Sequence, residues 1–437
     1  MKAGRVWVVC VCALLAETVA LGQGSKVSFR DDQTVLVEGQ PFFPIGLYYC
    51  HEDFADATGR LLKELRDLGF NTLDFYRWGE PTWKEELDRV HKAGLKVWVR
   101  GVNGFSVDSP EVEKSALEQV RALRGHPALL FWEFQDEPLL NKVSIENSRK
   151  GQELVKREDP DHPLLTVEWP GAVSRIKEWK LGDLYGFDLY PIPRRRKYGR
   201  LANHDITQIG DYADTIRQAR GDSPMVMVLQ AWSWDPVKYG KEGYPTPTES
   251  RFMAYQAVIH GVKAIFYYGQ VHCTKPNSAA ALSSASTQPA VQQAEFAKCL
   301  ELNAWFWEQH RPFFRELGEA AAIFVLREAP KDDRITPAGP PGHVESLTKQ
   351  ADADLYLLAV NADGQPCEAT FQLPQKRAGA TSVHVLFENR TVAVKDGNFT
   401  DKFQPYDTHV YATTPRLPGG AAPQTRRQEA ASQPAGR

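Results

Sequence analysis

Eight short apolar or alternating runs recur along the first two thirds of the chain, and longer amphipathic stretches separate them. The runs are FPIGLYY (43–49), NTLDFYR (71–77), KVWVRG (96–101), LLFWEFQDE (129–137), PLLTVEW (163–169), LYGFDLY (184–190), MVMVLQAW (225–232) and AIFYYG (264–269). Each has the length and composition of a strand buried on both faces. Between them, TGRLLKELRDLG places Leu61, Leu62, Leu65 and Leu68 on one helical face and closes on Gly69; EELDRVHKAG and PEVEKSALEQVRALRG repeat that logic. Eight βα units in succession predict a closed (β/α)8 TIM barrel over residues 26–312, with its last helix near Val291–Gln309.

After Pro312 the pattern changes to alternating runs with Gly, Asn and Asp turns: AAAIFVLRE, ADLYLLAVNAD, EATFQLP, TSVHVLFEN, RTVAVKDGNFTDKF and DTHVYATT. These predict a small antiparallel β-sandwich over 318–415. Residues 416–437, rich in Pro, Gly, Ala, Gln and Arg, offer no apolar face and are expected to be disordered. At the other end, Lys2 and Arg5 precede the apolar run VWVVCVCALLA and small residues follow, the pattern of a signal peptide over residues 1–22. That run is shorter than a bilayer span, so a secreted or periplasmic soluble protein is expected.

Charge excludes some partners. A formal net charge of −3, with 24% charged residues, argues for neither nucleic acid nor a lipid surface as partner. No histidine, cysteine and carboxylate spacing suits a metal, and no cofactor is implied. Cys50 and Cys273 lie just past the first and eighth runs, which become neighbours when a barrel closes, so a disulfide at the seam is one reading and two buried thiols the other.

A (β/α) barrel builds its site at the C-terminal ends of its strands. Those ends carry Tyr48, Arg77, Asp136 and Glu137, Glu168, Asp188 and Tyr190, Gln230 and Trp232, and Tyr268. Aromatic faces stack on pyranose rings and carboxylates bond hydroxyls, so the set suits an oligosaccharide or polysaccharide.

QDEP at Glu137, FDLYP at Asp188 and Arg77 after the second run resemble the large clan A of retaining (β/α)8 glycoside hydrolases. Their fourth strand commonly ends in Asn-Glu-Pro, and many carry a trailing β-sandwich. The resemblance implies that Glu137 is the acid/base, with Arg77, Asp136, Tyr190, Gln230, Trp232, Tyr48 and Tyr268 holding the sugar. It also implies a glutamate nucleophile at the end of the seventh strand, where this chain has Gln230. Asp188 and then Glu168 are the candidates for the second catalytic acid. The expectation is a secreted glycoside hydrolase; the alternative is a barrel that keeps carbohydrate binding without cleavage.

Overall fold

Strands that are apolar on both faces must be covered on both, and the chain achieves this by closing them on themselves. The computed structural model describes residues 24–193, 201–221, 223–269, 289–338 and 342–423; the segment expected to be a signal peptide and Cys273 lie outside them. Eight parallel strands, β4 (Ile45–Leu47), β5 (Thr72–Phe75), β6 (Lys96–Arg100), β7 (Leu129–Asp136), β8 (Leu164–Glu168), β9 (Leu184–Leu189), β10 (Met225–Gln230) and β11 (Ala264–Tyr268), form a closed barrel, with β11 pairing back to β4. The helices are α1 (His51–Ala55), α2 (Arg60–Asp67), α3 (Trp83–Lys92), α4 (Pro110–Leu123), α5 (Ile145–Glu158), α6 (Gln208–Arg220), α7 (Pro236–Tyr239), α8 (Pro247–Ile259) and α9 (Pro289–Phe324).

The lower barrel is filled by rings. Trp98 and Phe266 stack face to face with centroids 4.4 Å apart. A Cβ on the inward-facing Gly46 would lie 2.3 Å from the Phe266 ring, so only glycine fits there. Below them a sheet that the sequence reading did not anticipate, β1 (Val27–Phe29), β2 (Val35–Val37) and β3 (Gln40–Phe42), closes the barrel. Its Val27 and Val35 join the interior cluster with Leu165 and Val226. Three-residue strands are too short to show a period.

Two further expectations change. Between β8 and β9 the chain makes only a 3₁₀ turn, Pro170–Ala172, where the repeat predicts an α-helix; Ile176 and Trp179 cover the strands from irregular backbone instead. The strand expected over AAAIFVLRE is helical as far as Phe324, because α9 continues through Pro312, and only β12 (Arg327–Glu328) is extended. An apolar run of that length reads equally well in either conformation.

The C-terminal region forms two antiparallel sheets. One has the order β12, β14 (Val344–Ala351), β15 (Asp354–Asn361), β20 (Thr408–Ala412), β17 (Ser382–Leu386), β18 (Arg390–Ala393); the other joins β13 (Thr336–Pro337), β16 (Cys367–Gln372) and β19 (Asn398–Phe403). Leu357, Phe371, Phe399 and Tyr411 fill the space between them, making a sandwich. Leu417 is buried, so the expected disordered tail begins with an anchored residue rather than at Arg416.

Sandwich and barrel share one core. Helix α8 is buried continuously from Ser250 to Val258, lying between the barrel strands and β15. Arg251 on α8 donates to Glu316 on α9 at 2.6 Å and to the carbonyl of Thr408 on β20, and Tyr255 donates to the same Glu316 carboxylate at 2.9 Å. Removing the guanidinium strands a buried carboxylate. Arg251→Met is expected to destabilise the whole chain by about 3–5 kcal/mol, read as a lowered urea midpoint for both regions together.

Candidate active site

Strand alternation decides which side chains reach the barrel interior. On β5, Asp74 and the following Tyr76 face inward, which turns Arg77 away. Arg77 instead pairs bidentately with Glu86 on α3, at 2.6 and 2.9 Å, outside the cleft, so the structure corrects its expected role in holding sugar. On β7, Glu133 and Asp136 differ by three residues and would face opposite ways in a regular strand. A bulge at Phe134 interrupts the register with β8, so that Glu133 lies opposite Leu165 and Asp136 opposite Val167, both inward positions. One extra residue thus brings two acids into the same interior.

Arg100 on β6 holds these acids together. Its guanidinium reaches Glu133 at 3.3 and 3.4 Å and Asp136 at 3.5 Å, and it lies over the Tyr76 ring at 5.6 Å. Asp74 sits lower, level with Trp98, fully buried; neither oxygen makes a well-formed hydrogen bond, the Tyr49 backbone being the nearest donor. Burial pushes Asp74 well above the usual carboxylate range, and the Glu133 charge adds to it. Glu133 is pushed up to about 7 by burial, against the pull of Arg100. Asp136 is raised by its protein surroundings although 43% of its side chain opens into the cleft.

Glu137 follows at the mouth, in a left-handed backbone conformation with φ of 47°, strain worth roughly 1–3 kcal/mol. Its amide donates to the carbonyl of Val167 at 2.8 Å and its carbonyl accepts from Asn141 at 2.9 Å, which hold that turn. The Glu137 carboxyl is hydrogen-bonded to that of Asp188, the inward residue near the end of β9. Both are raised, first by burial and then by neighbouring negative charge. Two acids this close cannot both ionise readily, so the pair shares a proton. The other Asp188 oxygen, Oδ1, has no partner.

Aromatic side chains wall this pair. Tyr190 and Tyr268 stack at 5.5 Å, Tyr48 meets Tyr268 at 5.8 Å, and Trp232 lies 5.5 Å from Tyr190 and 4.5 Å from Trp234. Of the residues expected in the site, Glu137, Asp188, Asp136, Tyr48, Tyr190, Trp232 and Tyr268 are brought together. Glu168 is beside Glu137, but one oxygen accepts from the Leu139 amide at 2.9 Å and the other from the Trp169 amide at 3.1 Å. It pins the turn that carries Glu137, a positioning role in place of the catalytic one expected.

Gln230 also has another use. Its side-chain oxygen accepts from the Ile192 amide at 2.9 Å, and its NH2 donates to the carbonyls of Ile192 and Trp232, both at 2.8 Å. The group is fully buried and its hydrogen bonds are spent on backbone, which leaves none for a sugar. Asp74 and Glu133 were missed by the sequence reading because they lie inside strands rather than at their ends. The signal was present: a lone acid in the apolar run FWEF, and another two residues before Tyr76, on the same face.

No protein-family model and no curated protein matches the chain. Solved structures do match. A glycoside hydrolase aligns with a TM-score of 0.58 at 12% identity, covering 89% of this chain and 96% of that one. A glycoside hydrolase family 5 protein from Bacteroides vulgatus aligns with a TM-score of 0.57 at 13% identity, covering 89% and 93%. An alpha-amylase from Geobacillus thermoleovorans, complexed with acarbose, gives 0.52 at 10%, covering 85% and 98%. At these identities the likeness is one of fold: a TIM barrel with a C-terminal β domain, shared with glycoside hydrolases.

Two outcomes follow. Gln230→Glu sets a carboxylate against two carbonyl oxygens, and each buried group left unpaired costs about 1–3 kcal/mol. The variant should melt well below the parent and cleave no glycan faster, as thermal denaturation and glycan assays would show. Separately, folded Glu133 keeps its proton up to about pH 7, whereas an unfolded glutamate releases it near its ordinary value of 4.5. Over that interval the folded state binds more protons, so the stability this group contributes is full at low pH and is lost as pH rises toward 7. The fall in melting temperature between pH 5 and 8 should flatten in Glu133→Gln.

Proposed function

We propose that this chain is an exported glycoside hydrolase whose acid pair is Glu137 and Asp188. The observation that carries the proposal is the hydrogen-bonded carboxyl pair at the C-terminal mouth of the barrel, beneath Tyr48, Tyr190, Trp232 and Tyr268. The fold shared with glycoside hydrolases supports the reading, as does the position of Glu137 at the end of the fourth barrel strand. Export rests on the Lys2 to Gly22 leader pattern.

Two carboxyls in contact cannot both ionise readily, so the pair retains a proton at neutral pH. Glu137 faces the cleft and delivers that proton to the leaving glycosidic oxygen, while Asp188 passes its own to Glu137 across their hydrogen bond. The glycosidic bond breaks as water adds to the anomeric carbon, and the doubly charged pair takes up the proton that water releases. One proton leaves the pair and one returns. Asp136 accepts a hydrogen bond from a sugar substituent, and the aromatic walls cover the ring's apolar face.

Purified protein incubated with a broad glycan panel should release reducing sugar, and both Glu137→Gln and Asp188→Asn should lose at least a hundredfold in rate, within the range that general acid catalysis supplies. NMR of the first anomer formed separates direct attack by water from attack by a carboxylate. Saturable glycan binding without release by the parent protein would overturn the hydrolase and leave a carbohydrate-binding barrel.

A further inference from the structure

The proposed activity needs two acids, yet the interior carries five. Asp74, Glu133, Asp136, Glu137 and Asp188 converge from β5, β7 and β9 and the turn after β7, and among the described residues Arg100 is the cation beside them, paired with Glu133 and Asp136. A neutral sugar does not call for this. Each hydroxyl both donates and accepts, so a site for neutral sugars mixes donors with acceptors, whereas ionised carboxylates only accept. A protonated amine has three N–H donors and no acceptor, which is the complement of this floor.

Two observations beyond the acid cluster point to a cation. Asp74 is fully buried with neither oxygen in a well-formed hydrogen bond, and Asp188 Oδ1 is buried without a partner, so acceptor oxygens are left unused below and beside the cleft. The walls are the faces and edges of Tyr48, Tyr49, Tyr190, Tyr268 and Trp232, and aromatic faces attract cations that lie over them. A metal ion fits less well. Among the described residues no group of three or more His, Cys, Asp and Glu side chains has metal-holding geometry, since Arg100 stands between the acids. An aromatic enclosure suits an organic cation.

We infer that the cleft takes a sugar bearing a free amine, with the ammonium seated between Asp136 and Asp188 and the ring against the tyrosines. This rests on the carbohydrate reading above and narrows its substrate class to amine-bearing hexoses and their polymers. Asp136 supplies the charge the ligand touches, because 43% of its side chain opens into the cleft. Glu133 and Asp74 lie beneath without contact, and an ammonium above them favours their ionised forms.

Calorimetric or NMR titration at pH 6 and low salt would compare glucosamine, galactosamine and mannosamine with their N-acetyl forms and with glucose, galactose and mannose. At least one free amine should bind tenfold or more tightly than its N-acetyl and neutral counterparts. The preference should shrink at high salt and fall to near parity in Asp136→Asn, whose fold is checked by circular dichroism. Equal binding of the N-acetyl or neutral sugars, no binding by any amine, or a preference unchanged in Asp136→Asn would overturn the inference. Cleavage of a neutral glycan that depends on Glu137, without amine preference, would sink this inference and keep the hydrolase. Amine binding with no glycan cleaved would do the reverse.

Discussion

A barrel of eight parallel strands has an interior narrow enough that each inward side chain touches its neighbours from adjacent strands. Whatever enters must be packed or paired. Here the lower part is packed with the stacked rings of Trp98 and Phe266, an obligatory glycine at 46 and the valines of the closing sheet. The upper part is paired around Arg100. The guanidinium is fixed and always charged, so it lets Glu133 and Asp136 coexist where two carboxylates alone would repel. Its pull on Asp74 below is outweighed by burial, and the Glu137–Asp188 pair lies beyond it, so these acids keep their protons, with no second cation facing them among the described residues.

The bulge at Phe134 matters as much as any of these residues. Without it, Glu133 inside would put Asp136 outside, among the helices. The same irregularity delivers the chain to Glu137 in a left-handed turn, which Glu168 then holds through the Leu139 amide. The acid pair therefore depends on strand irregularity, a strained residue and a buried carboxyl group whose oxygens accept from backbone amides. Gln230 provides the matching support opposite, tying the loop after β9 to the end of β10. An amide can accept from one backbone group and donate to two others at once, which a carboxylate cannot. On this geometry its presence is a structural requirement of the loop and needs no history of lost activity.

Much of the architecture was legible because barrel strands, apolar on both faces, announce themselves as continuous runs. What escaped had no such signature. The closing sheet consists of three-residue strands; the β8–β9 connection lacks its helix; and Ala320–Phe324 is as apolar as a strand yet completes a helix that packs on barrel and sandwich together. Glu137, Asp188 and the aromatics were singled out because they end strands. Arg77 was misjudged by one step of alternation, and Gln230 and Glu168 because a hydrogen-bond partner contributed by distant backbone leaves no mark on sequence. Asp74 and Glu133 stood in plain view as acids inside apolar runs. Burying an acid is costly unless it is paired, protonated or used, and that cost should have marked them as part of the site.

Protonation links these parts. A carboxyl that keeps its proton in the empty cleft is neutral, so the acids lower the folded state's charge without further cations. The arrangement is poised rather than settled: a ligand cation between Asp136 and Asp188 would favour the ionised forms, and a leaving group that needs a proton would find one on the same residues. Binding and proton supply would then draw on one set of carboxyls from opposite sides. On the proposed reading, a cation held too tightly would pull protons from the acids that deliver them. Keeping Asp136, the acid that would touch the ligand, apart from the Glu137–Asp188 pair relieves that conflict, and the bulge in β7 is what turns Asp136 into the interior beside that pair.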